Sequence, residues 1–370
     1  MSTQVGDQEI DWQKWESLEI DNEISFRDEY LLIQDYHENF DELLNGLYAV
    51  VDGFSHYKND SKFGGYIASG RRRIIDTLDL MSLQYSAGGD LNFIKELYPY
   101  LLHWAEEYAE TSHLYNLSPD AGGRYVWHIS LGTEDYWYIA LRLICFGLLT
   151  GYADQMSRIM TIIDYTEATP EGQEKDGLIE RLVASFVTDR GIPPNDARRH
   201  LPYRKLIKVF DAAPEKRPAM MLQYLEDWYE ASRREPYFKQ HPETDLRSGR
   251  SYYGYWSWEA AAVTWLLDID DTNYREHQFY PKDLVDFSKA QSEKVQTQDS
   301  VEKIKIKGGD KCPKTGYWTT PAQPNERQHF SKGEILPTLS EQDWGEVYWY
   351  FDGEEENYIA QGETFVFIEV

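Results

Sequence analysis

Cysteine is nearly missing from this 370-residue chain, which has only Cys145 and Cys312. Cys145 lies in an apolar run and Cys312 in a Gly/Pro-rich turn. Two lone thiols exclude a secreted disulfide framework and are too few for a four-ligand zinc site. Basic residues are scarce beside acidic ones, with 37 Lys and Arg against 64 Asp and Glu, for a formal net charge of -27. Such a chain is repelled by nucleic acid and by anionic lipid, so neither is expected as a partner. Long apolar runs are also lacking. The longest, Tyr136 to Thr150, carries Arg142, is too short to span a bilayer, and reads as a buried helix. Met1 to Trp15 is polar and acidic, without the apolar core of a signal peptide. The expected location is the cytoplasm. Strand-like alternation of any length is absent before residue 300.

Acid and aromatic side chains are what the chain has in quantity. Aromatics make up 15% of it, with 28 Tyr and 12 Trp; such residues fill the seams between short helices or build binding surfaces. The acid is unevenly placed. Residues 1–60 hold 15 acidic and 3 basic residues, and residues 341–370 hold 9 acidic and none basic. An acidic surface of this kind attracts a basic partner and speeds their encounter.

After a polar leader (1–25), Phe26 to Gly53 places Phe26, Tyr30, Ile33, Phe40, Leu43, Leu44, Leu47 and Val51 at helical steps. Asp28, Asp35, Glu38 and Glu42 align on the other side, because seven residues is nearly two turns. Further helices are expected over Ile67–Tyr85, ended by Gly88-Gly89, and over Leu91–Tyr108. A long connection, Ser118–Gly132, follows. Glu134–Gly147 and Tyr152–Tyr165 read as a helical pair joined around Gly151. Leu178–Val187, Tyr203–Phe210 and Glu215–Ser232 continue the helical run. Pro236–Arg250 reads as a loop. Ser257 is a plausible N-cap for a helix that runs through Ala260-Ala261-Ala262 to Leu267, and a short helix starts at Tyr280. Residues 288–300 are polar and linker-like. Beyond them Ile304 and Ile306, Tyr317–Thr320, Glu346–Phe351 and Thr364–Ile368 read as strands. The fold expected is mainly α: a multi-helix bundle in two domains (26–130 and 131–290), a linker (291–300) and a small C-terminal all-β module (301–370).

No catalytic signature meets its context. G-x-S-x-G, H-E-x-x-H, C-x-x-C and a phosphate loop ending in Gly-Lys-Ser/Thr are all missing, so no catalytic residue, cofactor or metal ligand is assigned. His37-Glu38 is isolated, and His128 beside Trp127 is the one histidine with site-like company. Glu134-Asp135 before Tyr136-Trp137-Tyr138 is where a helical toroid that cleaves sugars would keep its paired carboxylates.

Two stretches carry a resemblance. Tyr253-Gly254-Tyr255-Trp256-Ser257-Trp258-Glu259-Ala260-Ala261-Ala262-Val263, then Leu266-Leu267-Asp268 and Tyr280-Pro281, resembles the hallmark of PoNi-type immunity proteins, the cognate inhibitors of polymorphic PoNe DNase toxins. Arg27-Asp28 and Arg71-Arg72-Arg73 are similar to features of the family's helical N-terminal half. The tail, with Cys312-Pro313-Lys314-Thr315-Gly316-Tyr317-Trp318, Gly333 to Pro337 and Trp349, resembles a small module attached to secretion-associated toxin and immunity genes, and extends beyond the PoNi-type architecture. The resemblance implies an α-helical, cofactor-free inhibitor. Its partner would be the cognate nuclease toxin, delivered between bacteria, often by type VI secretion. It also implies that Trp256, Trp258 and the alanine run hold the fold, with Glu259 satisfying a buried Arg or backbone group. The expected toxin contacts are Asp28, Asp35, Glu38 and Glu42, with Glu134 and Asp135 as a second patch. The alternatives are a helical-toroid carbohydrate-active enzyme and an effector adaptor or chaperone.

Overall fold

The computed structural model describes residues 24–57, 63–122, 129–164, 175–241, 252–299, 305–320, 323–338 and 347–353. Trp127-His128 falls outside them, as do the leader up to residue 23 and the strand expected at Thr364–Ile368.

The first helix begins later than its apolar periodicity suggests. Asp28 accepts a hydrogen bond from the backbone N–H of Tyr30 at 2.8 Å, a local turn that competes with helix at this position. Helix α1 therefore spans Ile33–Tyr57. Its inward face is Tyr36, Asn39, Phe40, Leu43 and Leu47, whereas Phe26 and Ile33 remain exposed. Helices α2 (Phe63–Ser86) and α3 (Leu91–Leu117) follow. Asp90 caps α3 by accepting from the Asn92 N–H. Helix α3 accommodates Pro99 and, with no Gly or Pro between Tyr108 and Ser118-Pro119, runs nine residues past the expected Tyr108. Helix α2 packs along both α1 and α3.

Helix α4 (Glu134–Leu149) is the apolar run, and it is buried almost all round. Its Arg142 reaches Asp79 on α2 at 2.7 Å and also donates to the Ser82 hydroxyl. Then come α5 (Met156–Ile163), α6 (Gly177–Val183), α7 (Arg204–Asp211), α8 (Arg217–Ala231), α9 (Trp258–Leu266) and α10 (Lys282–Asp299). Every residue of α9 from Trp258 to Thr264 is buried, and its alanine run lets it pack closely against α4. Helix α10 runs through the stretch read as a linker. The Gln, Lys, Glu and Ser residues there carry little apolar periodicity, yet they are adequate helix formers with no Gly or Pro among them.

The chain divides into two compact units between Ser292 and Glu293. In the first, one continuous apolar core takes residues from Leu31 to Val285. The second holds an antiparallel sheet of order β1-β4-β2-β3: β1 Lys305–Lys307, β2 Gly316–Thr320, β3 Gln323–Phe330 and β4 Tyr348–Gly353. Its own small core is Cys312, Trp318, Leu336, Val347 and Trp349. The fold is thus mainly α with a small β module. Strand β3, Gln-Pro-Asn-Glu-Arg-Gln-His-Phe, goes beyond the sequence expectation, because it has neither apolar alternation nor β-branched residues.

Candidate functional site

Residues 252–259 join the two ends of the helical unit. Gly254 has φ 104°, and a Cβ there would stand 2.0 Å from the Ser86 hydroxyl oxygen, so only glycine suits the position. That close approach allows the Ser86 hydroxyl to donate to the Tyr253 carbonyl at 2.7 Å and to accept from the Trp256 indole at 2.8 Å. Next to it, the Tyr252 hydroxyl donates to the Asp28 carboxylate at 2.7 Å, and the Tyr255 N–H reaches the same oxygen at 3.2 Å. Asn39 on α1 donates to the Tyr252 carbonyl, and Arg27 pairs with Asp283 on α10. The segment before α1 and the start of α1 itself are therefore fastened at several points to residues more than two hundred positions later.

Glu259, inside α9, is the hub of the hallmark. One carboxylate oxygen accepts from the Tyr224 hydroxyl (2.7 Å), the Trp228 indole (2.7 Å) and the Ser257 hydroxyl (2.8 Å). Of the two partners anticipated, a buried Arg or a backbone group, the backbone contributes a hydrogen bond, and hydroxyl and indole donors take the place of the Arg. Burial lifts its carboxyl above the usual carboxylate range, against the opposing pull of these hydrogen bonds. Ser257 does precede α9, but its hydroxyl serves Glu259 and caps no backbone N–H.

The six carboxylates expected to meet a partner lie in different environments. Asp28 is only 6% exposed, and is spent on Tyr252, Tyr255 and Tyr30; burial raises its pKa, again against the hydrogen bonds. It therefore leaves the outward row, because its partners lie on a part of the chain that periodicity does not see. Asp35 is half-buried, and its carboxyl is raised first by desolvation and then by the charge of Glu38. Glu38 and Glu42 are exposed, and Asp41 joins them. Glu134 and Asp135 occupy the first turn of α4, where the helix dipole favours negative charge. Their side chains are 83% and 69% exposed.

The arginine run on α2 links these patches. Arg71 pairs with Asp135 at 3.3 Å, Arg72 with Asp76 at 2.8 Å while lying in the field of Glu42, and Arg73 with Glu107 at 3.2 Å. All three arginines are thus already paired. Glu134 and Asp135 are neighbours on an exposed helical turn, not carboxylates facing each other across a cleft, so they do not form the pair that glycoside cleavage requires. Among the described residues no group of three or more His, Cys, Asp or Glu is placed to hold a metal. None of their helices is long and apolar enough to cross a membrane.

A recess of about 140 Å³ opens beside the Asp28 junction, lined by Arg27, Asp28, Glu29, Tyr30, Tyr255, Gln278 and Phe279. Tyr30 packs on His241 at 4.7 Å between ring centroids and meets Tyr255 edge-on at 5.9 Å. The His241 Nδ1 lies 2.8 Å from the Tyr255 hydroxyl. Glu29, Tyr30 and His241 are site residues that sequence reasoning misses; the available signal is the compact Arg-Asp-Glu-Tyr run directly before α1.

Residues 174–284 match the family model described as PoNe immunity proteins (PoNi), C-terminal. The resemblance read from Tyr253–Tyr280 is borne out over that segment, which contains α6 to α9 and the whole Asp28-binding run. The fold is also similar to the crystal structure of protein PA2201 from Pseudomonas aeruginosa, with a TM-score of 0.58 and 16% sequence identity over 73% of this chain and 93% of that one. At that identity the likeness is one of fold. No curated protein matches the chain.

Proposed function

We propose that this protein is an immunity protein that binds and inhibits a cognate antibacterial DNase toxin of the PoNe class, without turnover. The observation that carries the reading is the match of residues 174–284 to the C-terminal part of PoNe immunity proteins. A DNase presents basic groups to phosphates, and a chain of net charge -27 meets such a surface with the opposite sign. Asp35, Glu38 and Glu42 on α1, with Glu134 and Asp135 at the start of α4, are the carboxylates assigned to cover it. The setting is the bacterial cytoplasm, where the protein protects the producing cell from a toxin exchanged in competition, as through type VI secretion.

The test is co-expression with the toxin's nuclease domain, scored by survival and by cleavage of plasmid DNA in vitro. Protection with stoichiometric loss of nuclease activity is expected. A complex that leaves the nuclease active would point to an adaptor or chaperone and overturn the inhibitor reading. Glu38→Lys with Glu42→Lys is expected to weaken the complex roughly tenfold or more while leaving the circular-dichroism spectrum unchanged. Unchanged affinity would remove α1 from the contact surface.

A further inference from the structure

The recess before α1 sets an exposed carboxylate, Glu29, among aromatic faces, beside the buried Asp28 that is already hydrogen-bonded to Tyr252, Tyr255 and Tyr30. Its lining brings two carboxylates, Asp28 and Glu29, together with the rings of Tyr30, Tyr255 and Phe279. Arg27, the one cation in that lining, is committed elsewhere. Its guanidinium pairs with Asp283, donates to the carbonyls of Tyr85 and Gly89, and lies over the Tyr85 ring. Glu29 is the accessible acid of the two: it is exposed, hydrogen-bonds with Tyr30 and forms no ion pair among the described residues. Aromatic faces and carboxylates around a small concavity are the ordinary chemistry for holding an ammonium or guanidinium group. A space near 140 Å³ compares with the roughly 150 Å³ cavity known to accommodate benzene, and so suits one cationic side chain. The surroundings fit a protein contact. Phe26, Leu32 and Ile33, three of the eight large apolar residues exposed among those described, flank the recess in sequence, and acidic Glu38, Asp41 and Glu42 continue outward along α1. Apolar residues near the centre with a charged rim are the usual make-up of an interface.

We infer that this recess receives a lysine or arginine side chain of the basic nuclease partner, with Glu29 and Tyr30 as its accessible contacts. The inference rests on the immunity reading and adds a defined anchor point to it.

The test uses the full chain and the DNase domain that it inhibits, with affinity measured by calorimetry and thermal midpoints recorded for every variant. Glu29→Lys and Tyr30→Ala are expected to weaken binding by roughly tenfold or more at unchanged midpoint, with Glu29→Gln between wild type and Glu29→Lys. Glu110→Lys, an exposed site on α3, is expected to bind as wild type. Should Tyr30→Ala lower the midpoint, the two Glu29 variants decide. Wild-type affinity in both Glu29 variants overturns the inference and leaves the immunity reading standing. Equal weakening in Glu110→Lys also overturns it, since bulk charge would then account for the effect. A wild-type chain that fails to inhibit the nuclease removes both.

Discussion

Gly254 has its positive φ where Ser86 approaches too closely for a side chain. Gly254→Ala must therefore distort the junction that holds Trp256 and Tyr253 to α2, and a loss of about 2–4 kcal/mol is expected in urea denaturation. A loss below about 0.5 kcal/mol would show that the segment can relax. Glu259 offers a second test. Because burial raises its folded-state pKa, the folded chain keeps a proton that the unfolded chain releases. Its contribution to stability is complete below the unfolded carboxylate pKa and is lost as pH rises through the folded one. Asp28 acts in the same direction. Glu259→Gln has no such proton, so its stability relative to wild type should rise as the pH climbs above the ordinary carboxylate pKa of about 4; a constant gap would contradict the assignment. Single residues of this kind are only half legible in the sequence. Glu259 and the tryptophans stand out as an unusual run, but the Tyr224 and Trp228 donors around Glu259 come from α8, which no local pattern connects to it. Asp28 fits a surface row in every periodic respect, and its actual partner lies 224 positions away.

Between elements, α2 and α4 are joined through Arg142 and Asp79, whose side chains are both largely buried. Desolvation raises the Asp79 carboxyl more than Arg142 lowers it, so the charge on Asp79 depends on its partner. Arg142→Met is expected to cost about 3–5 kcal/mol, and adding Asp79→Leu should recover a large part of that. Additive losses in the double-mutant cycle would sever the proposed coupling. The presence of α4 is plain from its apolar run, and the single arginine within it signals an acidic partner without identifying which. Helix ends are less legible. Helix α3 outruns its expected end, and α10 absorbs the polar segment, because helix continues wherever no breaker or competing turn stops it. Strand β3 is invisible for the converse reason: a polar strand is specified by the strand it pairs with, β2, and not by its own pattern.

Across the whole molecule, the two units keep separate buried clusters, and the smaller has only Cys312, Trp318, Leu336, Val347 and Trp349 in its core. Trp349→Ala, which removes a fully buried ring and the bond from its indole to the Pro337 carbonyl, should cost the β module about 3–5 kcal/mol. The helical ellipticity is expected to keep its melting midpoint; a shift in that midpoint would mean that the helical unit depends on the sheet. The mainly helical architecture is readable because amphipathic periodicity is a local property. The convergence of residues 27–39 with residues 252–283 is not, because no local signal records it.

That convergence has a consequence for synthesis. Asp28 leaves the ribosome 224 residues ahead of Tyr252, and Arg27 leaves 256 residues ahead of Asp283. At elongation rates of roughly 5–20 residues per second, the nascent N-terminal segment waits about ten seconds or more for the groups that hold it. A prematurely terminated chain never acquires them. The recess beside Asp28, which borrows Tyr255 and Phe279 from the late segment, therefore takes shape only on chains translated past that point.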